Sequence, residues 1–491
     1  MNKKKALVIG SGFAGLSAAI NLASKNFDVT VLEKNTTLGG RARHFSESGF
    51  SFDMGPSWYW MPDVFESFFN KFGKSVSDYY ELIRLDPSYQ VIYEGGDFMP
   101  IPAQMSELEA LFESIEDGAG LQLRAFLKQA AYKYEVGINK LVYKPGRSLA
   151  EFTSLKLLID VIRMDVFQSM SKHVRKFFKH PKLIQLMEFP VLFLGALPEN
   201  TPALYSLMNY ADISLGTWYP KGGMYKVVEA LVSLAEELGV TLLTEHEVKK
   251  INHNNGKATS VTTNHGEITA DVIIAGADYH HVETKLLDNE TRNYSDEYWD
   301  KRVMAPSSLL YYVGLDKKLD GLLHHNLFFD TDFTPHAHDI YTDPKWPEKP
   351  LFYASLTSKT DDTVAPEGCE NLFLLIPVAP GLEETEEIRE KYFDMIVKRM
   401  EEHTGQSIKE HIIYKRSFAH RDFVKDYNSF KGNAYGLANT LTQTAILKPS
   451  LKSKKLKNLY YTGQLTVPGP GVPPSLISGI VVADEVEKDM N

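Results

Sequence analysis

Three consecutive segments near the start of the chain alternate between apolar runs and helical spacing. Residues 6–9 are all apolar, residues 15–23 carry apolar side chains at helical spacing, and residues 28–33 are again rich in apolar and β-branched side chains. A short apolar run predicts a buried strand, and apolar positions three or four apart predict a helix packed on it. The pattern therefore predicts a strand–helix–strand unit with parallel strands.

The turn between the first strand and the helix carries Gly10, Gly12 and Gly15. Gly10 permits a tight turn, Gly12 lets the backbone approach a pyrophosphate, and Gly15 lets the helix pack closely on the strand. The helix N-terminus supplies amide donors to the phosphates. Glu33 ends the second strand, where its carboxylate accepts hydrogen bonds from ribose hydroxyls and disfavours a 2′-phosphate. These positions predict a dinucleotide site that is unsuited to NADP.

Two later parts of the chain contain the same kinds of element. Residues 221–224 form a glycine turn before an amphipathic helix over 227–235, and a strand is predicted around Val248. Near the C-terminus, a strand ends in a glycine turn at Gly463, and a second helix begins near Val472. The nucleotide site is therefore predicted to draw on both ends of the chain.

The composition is that of a globular protein and excludes several classes. Of 491 residues, 43% are hydrophobic and 24% are charged, and the net charge of −10 argues against a general nucleic-acid binder. The single cysteine, Cys369, forms neither an intrachain disulfide nor a metal-binding cysteine cluster, which fits a reducing cytoplasm. Acidic pairs such as Glu383 and Glu384 look like solvated helix faces, so we predict no metal site.

Membrane spans and leader peptides are also excluded on sequence grounds. No apolar stretch approaches the ~20 residues that cross a bilayer. The lysines at 3–5 precede an apolar run of only four residues, which leads directly into the glycine motif. Because cleavage there would destroy the nucleotide site, we reject a signal peptide.

A second glycine motif follows the first unit. Lys34 comes after Glu33, and then Gly39, Gly40 and Arg41 allow backbone and an arginine to approach a diphosphate. This motif, and the loop of Gly55, Pro56 and Ser57, resemble the second dinucleotide motif and the flavin-proximal loop of the flavin amine oxidase and carotene desaturase superfamily. The resemblance implies FAD as the cofactor.

The C-terminal segment narrows the resemblance. Residues 458–463 and 468–473 are similar to the signature of bacterial phytoene desaturases. A helix that begins near Val472 points its positive end at the flavin ring, where it stabilises the negative charge formed on reduction. Residues 462–467 depart from the pattern, because they lack the small residues and the histidine that many relatives carry. The residues that these motifs assign to FAD are Gly10, Gly12, Gly15, Glu33, Lys34, Gly40, Arg41, Gly55, Pro56, Ser57, Val248, Gly463, Gly471 and Val472.

The elements and the resemblance together predict an α/β fold. We expect a Rossmann-like FAD-binding domain with a mixed-sheet substrate domain and a helical membrane-facing cap. The predicted ranges are 1–75, 220–285 and 452–491 for the FAD-binding domain, 76–104 and 286–451 for the substrate domain, and 105–219 for the cap.

The resemblance implies FAD-dependent desaturation of an acyclic carotenoid, phytoene or its intermediates toward lycopene, in carotenoid biosynthesis. A hydride leaves an allylic carbon for flavin N5 and a vicinal proton is lost, with quinone or oxygen as the electron acceptor. Asp361 aligns with a carboxylate proposed as the acid/base, although Asp362 is adjacent and a simple turn carboxylate is the alternative. Trp58, Tyr59 and Trp60 are candidates for the substrate tunnel, with core packing as the alternative.

Other functions remain open at this point. A hydroxycarotenoid 3,4-desaturase and a carotenoid isomerase need the same tunnel and flavin. A prenyl-lipid-binding GDP dissociation inhibitor shares the fold without catalysis, and an amine oxidase shares the cofactor. The intact Glu33 and Arg41 argue against the non-catalytic alternative.

The segment over 156–182 is basic within an acidic protein. It carries seven lysines and arginines against two aspartates, interleaved with apolar side chains. A basic amphipathic helix lies at an anionic lipid surface, whereas a solvated helix packed on the core is the alternative. Since the expected substrate is lipophilic, we predict a cytoplasmic protein bound peripherally to the inner face of the cell membrane.

Sedimentation with anionic liposomes tests the membrane prediction. We expect the protein to sediment with the vesicles, and neutralising Arg175, Lys176 and Lys179 together to weaken binding by about 1 kcal/mol per charge at low salt. Vesicles of neutral lipid are the control. Binding that the triple variant leaves unchanged would count against this surface.

Overall fold

The computed structural model describes residues 3–148, 151, 164–440 and 442–490. The first apolar run forms the middle strand of a five-stranded parallel sheet, which we call the nucleotide sheet. One neighbour is the next strand along the chain, whereas the other three strands come from distant parts of the chain, so the sheet closes through long-range pairing. In spatial order the strands are Leu459–Tyr461, Val272–Ala275, Lys5–Ile9, Asp28–Leu32 and Thr241–Leu243.

Three helices pack on the nucleotide sheet, at Phe13–Ser24, Tyr225–Glu237 and Val472–Met490. The first helix is rich in small residues and lies against the other two. A Cβ on Gly15 would overlap the carbonyl oxygen of Gly10, so this glycine sets the close approach of helix and strand. An antiparallel sheet of three strands, Val248–Asn254, Lys257–Thr263 and Gly266–Thr269, adjoins this unit.

The second large sheet has seven strands and is mixed. All neighbouring pairs are antiparallel except His325–Phe329 with Tyr89–Tyr93, which is parallel. We call it the substrate sheet. In spatial order its strands are Ile412–Phe418, Ser307–Leu315, Glu370–Val378, Phe352–Ser355, His325–Phe329, Tyr89–Tyr93 and Phe98–Ile101.

One face of the substrate sheet packs against a helix, and the other borders a cavity. On one face, Tyr311 packs against Phe393 of the helix Glu386–Thr404 and its hydroxyl donates to the Arg389 carbonyl at 2.6 Å. The other face carries Leu310, Tyr353 and Leu375, and it borders the interior cavity described below. Since side chains alternate along a strand, one sheet separates a packed core from a cavity wall.

Helices fill most of the segment between Met105 and Leu215. They include two long helices, two π-helical turns and several short pieces. These elements are Met105–Ile115, Ala119–Val136, Gly137–Leu141, Met170–Val174, Pro181–Glu188, Phe189–Leu194, Ala203–Ser206, Leu207–Asn209 and Tyr210–Leu215.

The remaining elements are small. A hairpin joins His44–Glu47 with Phe50–Asp53, and a long-range antiparallel pair joins Leu82–Arg84 with Trp218–Pro220. The other α- and π-helices are Pro62–Asn70, Tyr279–His281, Val282–Leu286, Asp296–Asp300, Phe333–Tyr341 and His420–Tyr427. The predicted α/β fold with a Rossmann-like sheet and a mixed sheet is confirmed, whereas the domain boundaries and the membrane-facing role of the cap stay predictions.

The basic segment does not form one continuous helix where it is described. Residues 156–163 lie outside the described residues, and the rest contains only the helix Met170–Val174 and the start of Pro181–Glu188. The expectation of a single amphipathic helix is wrong for this part, because Met170, Val174 and Phe178 are drawn into the core. Among the described helices, none has the length and apolarity needed to cross a membrane.

The close helix–strand contact at Gly15 can be tested against Gly12. We expect Gly15→Ala to lower the free energy of unfolding by about 1–3 kcal/mol, because the added methyl meets backbone that has no room to move. Gly12→Ala is the matched control, since its Cβ would meet nothing within 4 Å. Urea unfolding of the flavin-free proteins measures both. Equal stability of the two variants would contradict the packing described here.

Candidate functional site

A cavity of about 660 Å³ runs from the nucleotide sheet to the substrate sheet. One end lies at the carboxyl ends of the parallel strands, where Gly10 and Glu33 border it. The other end is walled by the substrate sheet and by the helical segment. Ligands bind at the carboxyl ends of parallel strands in open α/β sheets, so the position is the expected one for a nucleotide.

Glu33 is held in place at the nucleotide end. Its Oε2 accepts hydrogen bonds from the Ser11 backbone N–H at 3.0 Å and from Ser11 Oγ at 2.7 Å, and its Oε1 accepts from the Asn35 N–H at 2.9 Å. The side chain is buried and faces the cavity beside Val248. The sequence motif predicts the carboxylate but not Ser11, whose hydroxyl orients it.

The next part of the cavity lies at the N-terminus of the first helix. Gly12 caps the helix Phe13–Ser24, which has no acidic residue in its first turn. Because a Cβ on Gly12 would meet no atom within 4 Å, the backbone there is open to the cavity. This is the arrangement that binds phosphate at a helix N-terminus.

Arg41 faces the same region. Its Nη2 donates to Ser429 Oγ at 2.8 Å, but its Nε is buried without a partner in the described part of the chain, and burial lowers the pKa of its guanidinium. Lys34 also borders the cavity, where its Nζ donates to the Lys425 carbonyl at 2.6 Å. A buried guanidinium with an unpaired donor fits a diphosphate, so these residues suit a dinucleotide cofactor.

The C-terminal motif borders the middle of the cavity. Gly463 donates its N–H to Ser478 Oγ at 3.0 Å, which fixes the glycine turn against the last helix. Gly471 and Val472 border the cavity where that helix begins, and its first turn contains no acidic residue. The positive end of the helix is therefore directed into the cavity, as expected for stabilising a flavin ring.

The flavin-proximal loop continues into an aromatic wall. Gly55, Pro56 and Ser57 border the cavity, followed by Trp58 and Trp60. The Trp58 indole stacks on His325 with ring centroids 4.2 Å apart and an interplanar angle of 13°. Trp60 Nε1 donates to Thr217 Oγ1 at 2.9 Å. The contacts with His325 and Thr217 hold the two tryptophans in place, and both indole rings border the cavity.

Tyr59 does not belong to this wall, so its assignment to the tunnel is wrong. It forms a short β-bridge with Trp218, and consecutive residues of an extended segment point in opposite directions. Its ring stacks on Phe65 in the core of the nucleotide sheet, and its hydroxyl lies 2.9 Å from that of Tyr80.

The far end of the cavity is apolar. No sequence motif marks the residues that line this end, because they come from elements that are adjacent only after folding. The helical segment contributes Ile138, Leu141, Val142, Met164, Val166, Leu204, Leu207 and Met208, and the substrate sheet contributes Leu310, Tyr353 and Leu375.

Asp361 does not border this cavity. Its carboxylate accepts hydrogen bonds from the Tyr219 hydroxyl at 3.0 Å, the Gly222 N–H at 2.6 Å and both the N–H and hydroxyl of Thr363 at 2.9 and 2.6 Å. These donors hold its pKa below the ordinary value against the opposing effect of burial. The carboxylate joins two loops, and its role as the acid/base stays a prediction without support from its surroundings.

A buried polar pair near the C-terminal loop was not predicted. Lys448 is 5% exposed and its Nζ has no partner among the described residues, and burial lowers its pKa to about 7. Asn439 borders the cavity, and its Oδ1 is also unpartnered. Both atoms lie within 3.3 Å of the point where a Cβ on Gly469 would stand. No sequence motif marks this pair, because Asn439 lies 30 residues and Lys448 lies 21 residues before Gly469.

The fold and the site define a flavin-binding oxidoreductase. The chain belongs to the family of flavin containing amine oxidoreductases, whose model matches residues 13–487. Its cofactor is FAD.

Relatives and solved structures agree with this assignment. The chain is 44% identical over 485 residues to a carotenoid 3,4-desaturase of Haloarcula japonica, covering 98% of each chain. It is 32% identical over 491 residues to a zeta-carotene-forming phytoene desaturase of Myxococcus xanthus, covering 98% of this chain and 94% of the other. An oxidoreductase structure from Methanosarcina mazei matches with a TM-score of 0.64 at 17% identity, covering 98% of this chain and all of the other. At that identity the match shows the fold alone.

Arg41 and Arg43 form a matched pair for testing the diphosphate site. We expect Arg41→Met to weaken FAD binding at least about tenfold, because it removes a buried guanidinium that borders the cavity. Arg43 is ion-paired with Asp426 and does not border the cavity, so Arg43→Met should keep affinity within about threefold. Fluorescence titration of the flavin-free proteins with FAD measures both. Equal losses in the two variants would contradict the assignment.

Proposed function

We propose that the protein desaturates a carotenoid, with FAD as the hydride acceptor. The observation that carries the proposal is a single cavity that is polar at the nucleotide end and apolar at the far end. A long hydrocarbon fits such a tunnel because it buries apolar surface against the apolar walls, whereas a soluble amine has little apolar surface to bury there. The names of the two relatives, a carotenoid 3,4-desaturase and a phytoene desaturase, support the same class of substrate.

When bound, FAD accepts the hydride that leaves an allylic carbon of the substrate. The chain's own residues bind and orient the polyene and keep water from it. Trp58 and Trp60 present aromatic surface beside the flavin-proximal loop, where ring faces stabilise positive charge on the substrate. Leu310 and Leu375 of the substrate sheet and Leu207 of the helical segment supply the apolar walls.

Within this class, two observations favour a hydroxylated carotenoid and the 3,4 position over phytoene. The first is the carotenoid 3,4-desaturase at 44% identity, against 32% for the phytoene desaturase. The second is the unpartnered pair of Asn439 and Lys448. A hydrocarbon leaves both groups unsatisfied, at a cost of about 1–3 kcal/mol each, whereas a hydroxyl donates to Asn439 Oδ1 and accepts from a lysine.

We propose that the lipophilic substrate arrives from a membrane surface at the helical segment. Met164 and Val166 border the cavity, and the next residue, Phe167, is 86% exposed. Lys172 and Lys176 are exposed nearby in the chain. An exposed aromatic flanked by cations suits the interface of an anionic bilayer. A membrane quinone or oxygen as the final electron acceptor belongs to the same proposal.

Expression in two pigment-accumulating hosts tests the proposal. In a host that accumulates a hydroxylated acyclic carotenoid, we expect a product with one more conjugated double bond and a red-shifted absorption spectrum. In a host that accumulates phytoene, we expect little conversion, and lycopene there would instead support the phytoene alternative. Extracts from hosts with an empty vector are the control. Unchanged pigment in both hosts, with purified FAD-loaded protein that neither carotenoid reduces anaerobically, would contradict the proposal.

A further inference from the structure

A second, smaller cavity of about 260 Å³ lies next to the main one. It is bordered by polar groups, including Asp53, His44 and Ser355. A water molecule in the liquid takes up about 30 Å³, so this space has room for several waters with partners to hold them. Its polar walls contrast with the apolar far end of the main cavity.

The register of the substrate sheet sets the two cavities side by side. The cross-strand pair Tyr353 and Leu375 borders the main cavity, and the pair Ser355 and Phe373, two residues further on the same face, borders the second. Two residues along a strand span about 7 Å. Ser57, in the flavin-proximal loop, borders both cavities. One row of the sheet and one serine therefore separate the reaction space from the polar cavity.

The groups at this boundary are hydroxyls. The Tyr353 hydroxyl lies 2.6 Å from His325 Nδ1, and the nearby hydroxyls of Ser355 and Ser57 act on its pKa against the upward effect of burial. Ser355 Oγ is buried next to the Tyr353 hydroxyl. Hydroxyls both donate and accept, so this group of three can pass a proton by exchanging roles.

The second cavity also contains a group that can hold a proton and an outlet to solvent. Burial raises the pKa of Asp53 to about 6, although its carboxylate accepts from the N–H groups of Met224 and Tyr225 at 2.7 and 3.0 Å. At the rim, Lys226 pairs with Glu229, whose side chain is 47% exposed. A proton that reaches this space has a path to bulk water.

We propose that the second cavity is the exit for the proton that desaturation releases, with Ser57, Tyr353 and Ser355 as the relay. The inference rests on the proposed function. The electron pair of one C–H bond leaves with the hydride to FAD, and the vicinal C–H bond gives its proton to a boundary hydroxyl. The electrons of that second bond form the new C=C bond, and the hydroxyl passes its own proton to water in the second cavity.

Three variants test the relay through the rate of flavin reduction in an anaerobic single turnover. Ser355→Ala removes one relay hydroxyl, and Ser355→Thr is the matched control that keeps it. Tyr353→Phe removes a second. We expect Ser355→Ala and Tyr353→Phe to lower the rate about 10- to 100-fold and Ser355→Thr to stay near wild type. Flavin content and visible spectrum confirm that each variant is loaded with FAD.

Substrate deuterated at either reacting carbon distinguishes a relay from structural damage. In the slow variants, deuterium at the carbon that loses the proton should produce a larger isotope effect than in wild type, while deuterium at the hydride carbon should not. A crystal structure at high resolution should show ordered waters joining Ser57 to the rim near Glu229. Variants with wild-type rates and isotope effects, or a second cavity without ordered water, would overturn the relay alone. Wild-type protein that reduces no carotenoid would overturn the proposed function, and the relay with it.

Discussion

The packing of the first helix against the last is the constraint on which the site depends. Ser17 Oγ, completely buried in the helix Phe13–Ser24, donates to the Leu476 carbonyl at 2.6 Å. That bond links residues 459 positions apart, and the packing of the two helices, with the pairing of Leu459–Tyr461 in the nucleotide sheet, brings the glycine turns after both strands to one cavity. Without this packing, the donors that fit the diphosphate and the helix end that faces the flavin ring would belong to separate surfaces. Every other element either extends this unit or encloses the space above it.

The nucleotide half of the site could be predicted because its information is local. A strand, a glycine turn, a helix and an acid follow one another within residues 5–33, and each position has one physical role. The fold class and a dinucleotide site follow from that segment, and FAD follows from the family resemblance of the motif at Gly39 to Arg41. The sequence motif does not predict the residues that support the site from behind. Ser11 is an example, because it orients Glu33 through two hydrogen bonds.

The substrate half could not be predicted because its walls are assembled from segments far apart in sequence. In the sequence, Tyr59 cannot be distinguished from the aromatic residues on either side of it. In the structure, its backbone bridge to Trp218 directs its side chain into the core, where the ring stacks on Phe65. Asp361 has a carboxylate, as an acid/base residue requires, but that carboxylate already accepts four hydrogen bonds within the protein. The apolar residues of the basic segment have a helical spacing that is the same for a helix on lipid and for a helix on the core. In the folded protein, Met170 and Val174 are buried in the core. Lys448 and Asn439 carry no motif at all.

The topology of the nucleotide sheet has a consequence for how the protein is made. The strand Leu459–Tyr461 and the helix Val472–Met490 complete the cofactor site, and they are synthesised more than 400 residues after the first helix. Chains are synthesised at about 5–20 residues per second and domains generally fold as units, N-terminal first. Here the N-terminal unit cannot close early, so the substrate sheet emerges while the first helix still lacks its partner. The complete cofactor site can therefore form only after the substrate sheet has been synthesised.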